Sequence, residues 1–199
     1  MTIAENPTAR LETFSDGVFA VAITLLVLGL HVSAPPGGLA SALGREWPHY
    51  ATYVVSFLTI GIIWMNHHAQ YERIARVDRT LMLANLVLLM FVTLIPFPTG
   101  LLADHLSAPS DQHVAAAVYA GSLLAMGVAF FATYLWAMHA DLFTERITAR
   151  HVSYLIRRNG LGLFAYLAAV AMAFLNATAS LALCGLTAVY YTFPAKEPE

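Results

Sequence analysis

Polar side chains that could do chemistry stand near the ends of long apolar runs in this sequence. They are Ser15, Asp16, Trp64, His67, His68 and Asn85. Positions three and four residues apart share one broad face of a helix, so Trp64 can lie on the same face as His67 and His68. Polar groups in a low-dielectric environment need partners, and a satisfied network fixes one arrangement of helices. We therefore predict that these six side chains meet in one polar cluster.

Three kinds of chemistry could use such a cluster. A zinc site is disfavoured because adjacent histidines on a helix diverge by about 100° and the sequence has no HExxH spacing. A hydrolase triad is disfavoured because Ser15 and Asp16 are adjacent and no oxyanion loop is visible. A pH-sensing role of His67 or His68 stays open, since an unperturbed imidazole titrates near pH ~6.5. We favour a structural latch that holds the helices together.

The elements that must position these side chains are helices of membrane length. The sequence is 59% hydrophobic and 11% charged, whereas soluble domains carry about 25% charged residues. No Asp, Glu, Lys or Arg occurs in 17–44, 47–71, 80–103, 112–140 or 159–195. A span needs roughly 20 residues, and the last window holds two short spans with a turn near Asn176. We predict an all-α membrane protein, one domain over 1–199, with six transmembrane helices at about 14–32, 50–71, 80–102, 114–138, 160–175 and 179–193.

The basic residues predict the orientation of the chain. With six spans and both termini in the cytoplasm, nine of the ten Lys and Arg residues lie on the cytoplasmic side, and only Arg45 lies outside. The nine are Arg10, Arg73, Arg76, Arg79, Arg146, Arg150, Arg157, Arg158 and Lys196. This asymmetry follows the positive-inside rule. It places the predicted polar cluster near the cytoplasmic face.

The first apolar run has two different faces. At about 100° per residue, one narrow stripe of the helix carries Phe14, Gly17, Val21, Thr24, Leu28 and His31, while Ser15 and Asp16 point away from it. We interpret this smooth stripe as the lining of an ion pathway. A lone threonine in a membrane helix more often bonds back to its own backbone or aids close packing. Both interpretations of Thr24 stay open on the residues alone.

Composition disfavours several other classes of protein. A net charge of −2 without a basic stripe argues against a nucleic-acid partner. The single cysteine, Cys184, allows no internal disulfide and fits a buried thiol. The first residues lack a basic n-region, so we expect no cleaved signal peptide. No nucleophile stands with a separate base at a known spacing, so we expect neither an enzyme nor a cofactor.

Three motifs together resemble a known family. They are Arg10-x-x-x-Phe14-Ser15-Asp16, Trp64-x-x-His67-His68 and the stretch from Asn85 to Pro96-Phe97-Pro98. The sequence resembles the prokaryotic branch of the transmembrane protein 175 potassium channel family over nearly its whole length. The resemblance implies a multi-pass protein of the plasma membrane that conducts potassium ions through the lipid bilayer. It also implies a homotetramer, in which four copies of the first helix surround a central pore.

The resemblance also implies roles for individual residues. Val21 would form the pore constriction, Thr24 a ring of hydroxyls beside the permeating potassium ion, and Leu25 and Leu28 the next apolar layers. The structural polar latch would consist of Arg10, Phe14, Ser15, Asp16, Trp64, His67, His68 and Asn85. The alternative is a proton-coupled or proton-conducting membrane carrier that uses Asp16 with His67 or His68 as its relay.

Overall fold

The structure is a computed structural model that describes residues 7–31, 38–144 and 149–193. Within these residues the chain is all-α. The helices are α1 (Pro7–Leu25), α2 (Leu39–Arg45), α3 (Trp47–Tyr71), α4 (Arg79–Leu94), α5 (Pro96–His105), α6 (Gln112–His139), α7 (Ala149–Ala173) and α8 (Ala177–Thr192). A 3₁₀ segment, Leu26–Gly29, continues α1. Residue 32 at the end of the first predicted span, Arg146 and Lys196 lie outside the described residues.

The first helix packs on α3 and α4 through one face only. Ser15, Phe19, Ala22 and Leu26 follow one another at intervals of four, three and four residues, and all are buried. This spacing aligns side chains along one side of a helix. The centre of the subunit is α6, which contacts α4, α5, α7 and α8. The first helix therefore lies at the edge of the helical bundle, with its opposite face exposed.

Among the described residues, three helical stretches are long and apolar enough to cross a membrane. They are Thr8–Gly29, Arg79–His105 and Gln112–His139, and they coincide with the first, third and fourth predicted spans. The last helix is apolar but has only 16 residues. Both α3 and α7 have 25 residues, but polar or basic side chains such as His67 and Arg157 interrupt them. The count of six spans and the cytoplasmic termini remain predictions.

The helix boundaries correct two details of the sequence analysis. The fifth predicted span starts at about residue 160, whereas α7 begins at Ala149 and includes Arg157 and Arg158. Charged residues fit a helix that extends beyond the apolar layer, and Arg157 is exposed. The connection after the first span contains the seven-residue helix α2. Hydropathy locates the apolar part of a helix and does not report where the helix itself ends.

Proline divides the third predicted span into two helices. Pro96 and Pro98 lack the amide hydrogen that would continue the backbone hydrogen bonds of the helix. The helix therefore breaks at Ile95 and resumes as α5. The amide of Ile95 donates to Val92 O at 3.3 Å, a shortened turn, and Thr99 N then donates to Ile95 O at 3.1 Å. The helical path extends to His105, beyond the predicted end at 102.

Side-chain caps fix two helix starts. Asp78 accepts a hydrogen bond from Leu81 N at 2.7 Å at the start of α4, and it also accepts from Trp136 Nε1 of α6. Asn176 accepts from Ala179 N at 2.8 Å at the start of α8. Short polar side chains at this position satisfy amide groups that the first turn leaves open. The turn that the sequence predicts near Asn176 is present.

Candidate functional site

The exposed face of α1 is a nearly uninterrupted apolar surface. Val21 is 56% exposed and Leu28 is 74% exposed. Its members, which we call the α1 stripe, are Phe14, Gly17, Val21, Thr24, Leu25 and Leu28, and all are exposed. The predicted separation of this stripe from Ser15 is present in the structure, because Ser15 is fully buried on the opposite face.

The only hydroxyl in the α1 stripe belongs to Thr24. Its Oγ1 donates to Val21 O within the same helix at 2.8 Å. A hydroxyl has one proton and two lone pairs, so this bond uses the donor and leaves the oxygen able to accept or to coordinate a cation. The sequence left two interpretations of Thr24 open: a hydrogen bond to its own backbone, and a role facing an ion. One rotamer of Thr24 is compatible with both.

The buried face of α1 joins a network of three helices. Ser15 Oγ donates to Leu11 O at 2.8 Å, and it accepts from Asn85 Nδ2 of α4 at 3.0 Å. Asn85 Oδ1 lies 2.9 Å from His67 Nε2 of α3. Because an amide oxygen only accepts, Nε2 of His67 carries a proton in this arrangement. We call Ser15, Asn85 and His67 the buried latch.

Two aromatic rings enclose the histidine of the buried latch. The His67 ring is stacked on Tyr71 with centroids 4.2 Å apart, and Phe19 lies 5.4 Å away at a tilt. The Nδ1 atom of His67 has no hydrogen-bond partner among the described residues. A neutral imidazole tolerates this arrangement better than a charged one, since burying an unpaired charge is far more costly. The latch is built from neutral groups.

A second cluster lies on the surface beside the buried latch. Trp64 Nε1 donates to Asp16 Oδ1 at 2.8 Å, and the Trp64 ring is stacked on His68 with centroids 6.2 Å apart. His68 Nδ1 lies 2.6 Å from Glu12 Oε1, and its Nε2 lies 3.5 Å from Glu72 Oε1. We call these five residues the surface cluster. It joins the second and third turns of α1 to the C-terminal end of α3.

The structure thus replaces the single predicted cluster with two. Adjacent residues on a helix point about 100° apart, so Ser15 and His67 turn inward, whereas Asp16 and His68 remain in the surface cluster. Phe14, which was predicted to belong to the polar latch, is 54% exposed on the α1 stripe of the single subunit. Arg10 lies in the first turns of α1 and is exposed.

Two carboxylates of the surface cluster were missed. Glu12 precedes Asp16 by four residues, and Glu72 follows His68 by four residues. Residues four apart on a helix are neighbours, so both could have been identified from spacing to the predicted cluster.

Comparison with known proteins gives matches along almost the whole chain. Residues 10–96 match the model of the family described as endosomal/lysosomal potassium channel TMEM175. A Streptomyces collinus protein called a potassium channel is 48% identical over 193 residues, which cover 94% of this chain and 93% of that protein. A crystal structure of a lysosomal potassium-selective channel TMEM175 homolog from Chamaesiphon minutus has a TM-score of 0.82 at 38% identity, and covers 93% of this chain and 96% of that one.

A more distant relative extends the comparison to animals. The Bos taurus protein called endosomal/lysosomal proton channel TMEM175 is 34% identical over 113 residues, which cover 52% of this chain and 24% of that protein. These proteins are ion channels rather than enzymes. All residues of the buried latch and the surface cluster lie within the matched residues 10–96. Identity of 48% over almost the full length of a relative, together with the shared fold, shows that the chain belongs to the TMEM175 channel family.

Proposed function

We propose that four copies of this chain form a potassium-selective channel in the bacterial plasma membrane, with the α1 stripe around a central pore. The observation that carries the proposal is the division of α1 into a buried polar face and an exposed apolar face. A helix at the edge of a subunit, with such a face exposed, is available to meet its copies. The names of the bacterial relatives support potassium as the ion.

Lipid could also cover an exposed apolar face, so the details of the stripe matter. Gly17 and Thr24 are small, and small residues are enriched where membrane helices approach closely. A methyl group added at Gly17 would meet no atom of another part of the subunit within 4 Å. The small side chain is therefore not required by packing within the subunit. A close approach of α1 to its copies in the proposed assembly would explain the glycine at position 17.

The order of side chains along the stripe suggests how ions pass. Val21 would form an apolar constriction, and Leu25 and Leu28 would form further apolar layers that can gate by dewetting. Between them, four Thr24 oxygens would replace part of the water shell of a potassium ion. Because Thr24 Oγ1 already donates to Val21 O, its lone pairs are the part of the hydroxyl left for the ion.

Purified protein in planar bilayers tests this proposal. Under opposed potassium and sodium gradients we expect a reversal potential close to that of potassium, and currents that follow voltage without saturating as a carrier does. A reversal potential near zero under these gradients would contradict potassium selectivity. Native mass spectrometry of the same sample should give four subunits, and a monomer or dimer that conducts would contradict the proposed pore.

Proton transport is the second candidate. The animal relatives that match this chain are called proton channels, and the surface cluster contains titratable groups, among them Asp16, His68 and Glu12. The relay from Asp16 to His67 is weakened by geometry, because among the described residues Asp16 bonds to Trp64 and His67 bonds to Asn85. Within the part of the chain that the structure describes, no hydrogen bond joins the surface cluster to the buried latch.

A pH gradient separates the two candidates. With equal potassium on both sides, a proton pathway shifts the reversal potential toward the proton equilibrium potential. His68→Gln removes a titratable group while keeping a polar side chain. Loss of the pH-driven shift in His68→Gln, with potassium current retained, would support a proton route through the surface cluster. The absence of any pH-driven shift in the unmodified channel would reject this candidate.

A further inference from the structure

Three ligand-type side chains from three elements converge at the end of the bundle away from the buried latch. His31 follows the 3₁₀ segment, His49 lies in the first turn of α3, and Asp104 lies in the last turn of α5. One ligand atom of each lies within 4.8 Å of the others. His49 Nε2 is 3.0 Å from Asp104 Oδ1, and the His31 and His49 ring centroids are 5.0 Å apart. We call these residues the outer triad.

Each imidazole has its other nitrogen placed against an acceptor. His31 Nδ1 lies 3.1 Å from Gly29 O, and since a carbonyl only accepts, this bond puts the proton on Nδ1 and leaves a lone pair on Nε2. His49 Nδ1 lies 2.8 Å from Glu46 Oε2, although off the hydrogen-bond direction. Histidines that bind metals usually donate their second nitrogen to a carbonyl or a carboxylate. The surroundings of both rings therefore suit metal ligands.

We propose that the outer triad binds a divalent transition-metal ion of the zinc class through His31, His49 and Asp104. Zinc–ligand distances of about 2.0–2.2 Å at tetrahedral angles separate neighbouring ligand atoms by about 3.4 Å. The 3.0 Å between His49 Nε2 and Asp104 Oδ1 is already close to this spacing. His31 is exposed, so its ring can move the remaining distance without displacing the core.

The donor set selects the class of metal. Two imidazoles and one carboxylate match zinc, whereas magnesium and calcium prefer oxygen ligands throughout. Three protein ligands leave a fourth position for water, as in open zinc sites. His31 and Asp104 are exposed, so an ion can reach the triad from the aqueous phase. The competing explanation is a plain ion pair of His49 with Glu46 and Asp104, which needs no metal.

Zinc binding to the purified protein distinguishes these explanations. Competition with a zinc-sensitive fluorescent chelator should give one ion per subunit for the unmodified protein. His31 takes no part in the ion pair of His49, so His31→Gln should weaken zinc binding by at least about tenfold while leaving that pair intact. His139→Gln is the matched control, because His139 is exposed near the opposite end of the bundle and belongs to no ligand group among the described residues.

Asp104→Asn provides a second variant that keeps the shape of the side chain and removes its charge. We expect it to weaken zinc binding as His31→Gln does, with unchanged elution from a size-exclusion column. The proposal is overturned if the unmodified protein binds no zinc, or if both triad variants bind it as tightly as His139→Gln.

An effect of zinc on current is a separate consequence that rests on the proposed channel. His31 continues the exposed side of α1 just beyond Leu28, so an ion held there adds positive charge beside the outer mouth of the pore. Zinc applied to the extracellular side should reduce potassium current at least twofold in the unmodified channel and not in His31→Gln. If zinc binds to the triad but current is unchanged from either side, the proposed pore is contradicted while the metal site stands. If His31→Gln binds and is inhibited like the unmodified protein, the metal site is overturned.

Discussion

In the proposed pore, Thr24 would serve both its own helix and a passing ion. Its proton is committed to Val21 O, which fixes the rotamer and keeps the oxygen at the exposed surface of α1. Valine has nearly the same shape and no oxygen. Replacing one by the other changes the chemistry of the proposed pore with little change in its width.

We predict that Thr24→Val lowers the permeability ratio of potassium over sodium by about tenfold, equivalent to about 1.4 kcal/mol shared by four hydroxyls. The measurement is the reversal potential in planar bilayers with opposed gradients. Thr93→Val is the matched control, because Thr93 is also exposed and also donates three residues back, to Met90 O on α4. An equal loss of selectivity in both variants, or in neither, would remove Thr24 from the pathway.

Asn85 is the central member of the buried latch, since it bonds to both Ser15 and His67. Interhelical hydrogen bonds in membrane proteins contribute about 0.6 kcal/mol on average and up to about 1.7. Asn85→Leu removes two such hydrogen bonds and leaves the buried side chains of Ser15 and His67 without their partner on α4. We therefore predict that it destabilises the subunit by about 1–3 kcal/mol. Thermal denaturation in detergent, followed by size-exclusion chromatography, measures the effect.

Asn66→Leu is the control for this substitution. Asn66 is half-buried on the same helix as His67, but its amide donates to Ile62 O within that helix. The substitution should therefore have a much smaller effect on thermal stability. A comparable loss in both variants would mean that leucine is simply poorly tolerated on these helices, and that the three-helix network has no special role.

The residues of the site could be named from the sequence, but their grouping could not. Spacing brought Trp64, His67 and His68 to one end of a helix, and the structure confirms that Trp64 contacts Asp16. The division into two clusters depends on the rotation of α1 and α3 about their axes, which is set by packing around Phe19. The sequence pattern shows which face of each helix is apolar, but it does not fix the rotation of α1 and α3 closely enough to separate the two clusters.

At the scale of elements, α7 and α8 are held together by a contact that requires glycine. The Tyr191 hydroxyl donates to Arg158 O, the Arg158 guanidinium lies 5.4 Å from the centre of the Tyr191 ring, and the ring passes directly over Gly162. A Cβ added at Gly162 would overlap the Tyr191 ring, whereas one at Gly160 would meet nothing within 4 Å. Two glycines in the same helix thus have different reasons for being there.

We predict that Gly162→Ala destabilises the α7–α8 pair by about 1–3 kcal/mol, the usual cost of overpacking. Gly160→Ala should be neutral or stabilising by up to about 1 kcal/mol, because alanine is the better helix former. Thermal stability of the two variants in detergent gives the comparison. In a Tyr191→Ala background the penalty of Gly162→Ala should disappear, and a penalty that persists there would assign the effect to another neighbour.

The apolar parts of the helices were predictable, and their ends were not. Uncharged windows located α1, α4 with α5, and α6, because a run of apolar residues is the dominant signal of a membrane helix. The start of α7 at Ala149 was missed, since its first turns carry arginines that hydropathy reads as a link. The break at Ile95 depends on two prolines inside what was predicted as one span, and the continuation to His105 was not predicted.

At the scale of the whole molecule, the exposed apolar surface is large, and the predicted topology concentrates the basic residues at one side. The links after α3 and α5 lie on opposite sides of the membrane in the predicted topology. Ala75 and Ser110 are exposed in these two links. The chain has one cysteine, Cys184, and it is buried. The unmodified protein therefore serves as the control that measures background labelling by a thiol reagent.

We predict that a membrane-impermeant maleimide added to whole cells labels Ser110→Cys and leaves Ala75→Cys unlabelled, because positive charge retains the arginine-rich link in the cytoplasm. Both variants should react after the membrane is permeabilised. The reverse pattern would invert the orientation, and labelling of both positions in intact cells would contradict the span count between them.

The C-terminal end of α1 has an electrostatic consequence for the proposed assembly. The helix ends in the 3₁₀ segment Leu26–Gly29 without a basic residue in its last turn. The last carbonyl groups of a helix lack intrahelical partners and carry the equivalent of about −0.5 elementary charge. Four such ends around one axis would give the outer vestibule about −2 charges contributed by backbone alone. Such a vestibule attracts cations and repels anions. This electrostatic attraction weakens as salt shortens the Debye length. Because the charge comes from backbone carbonyl groups, no side-chain substitution removes it.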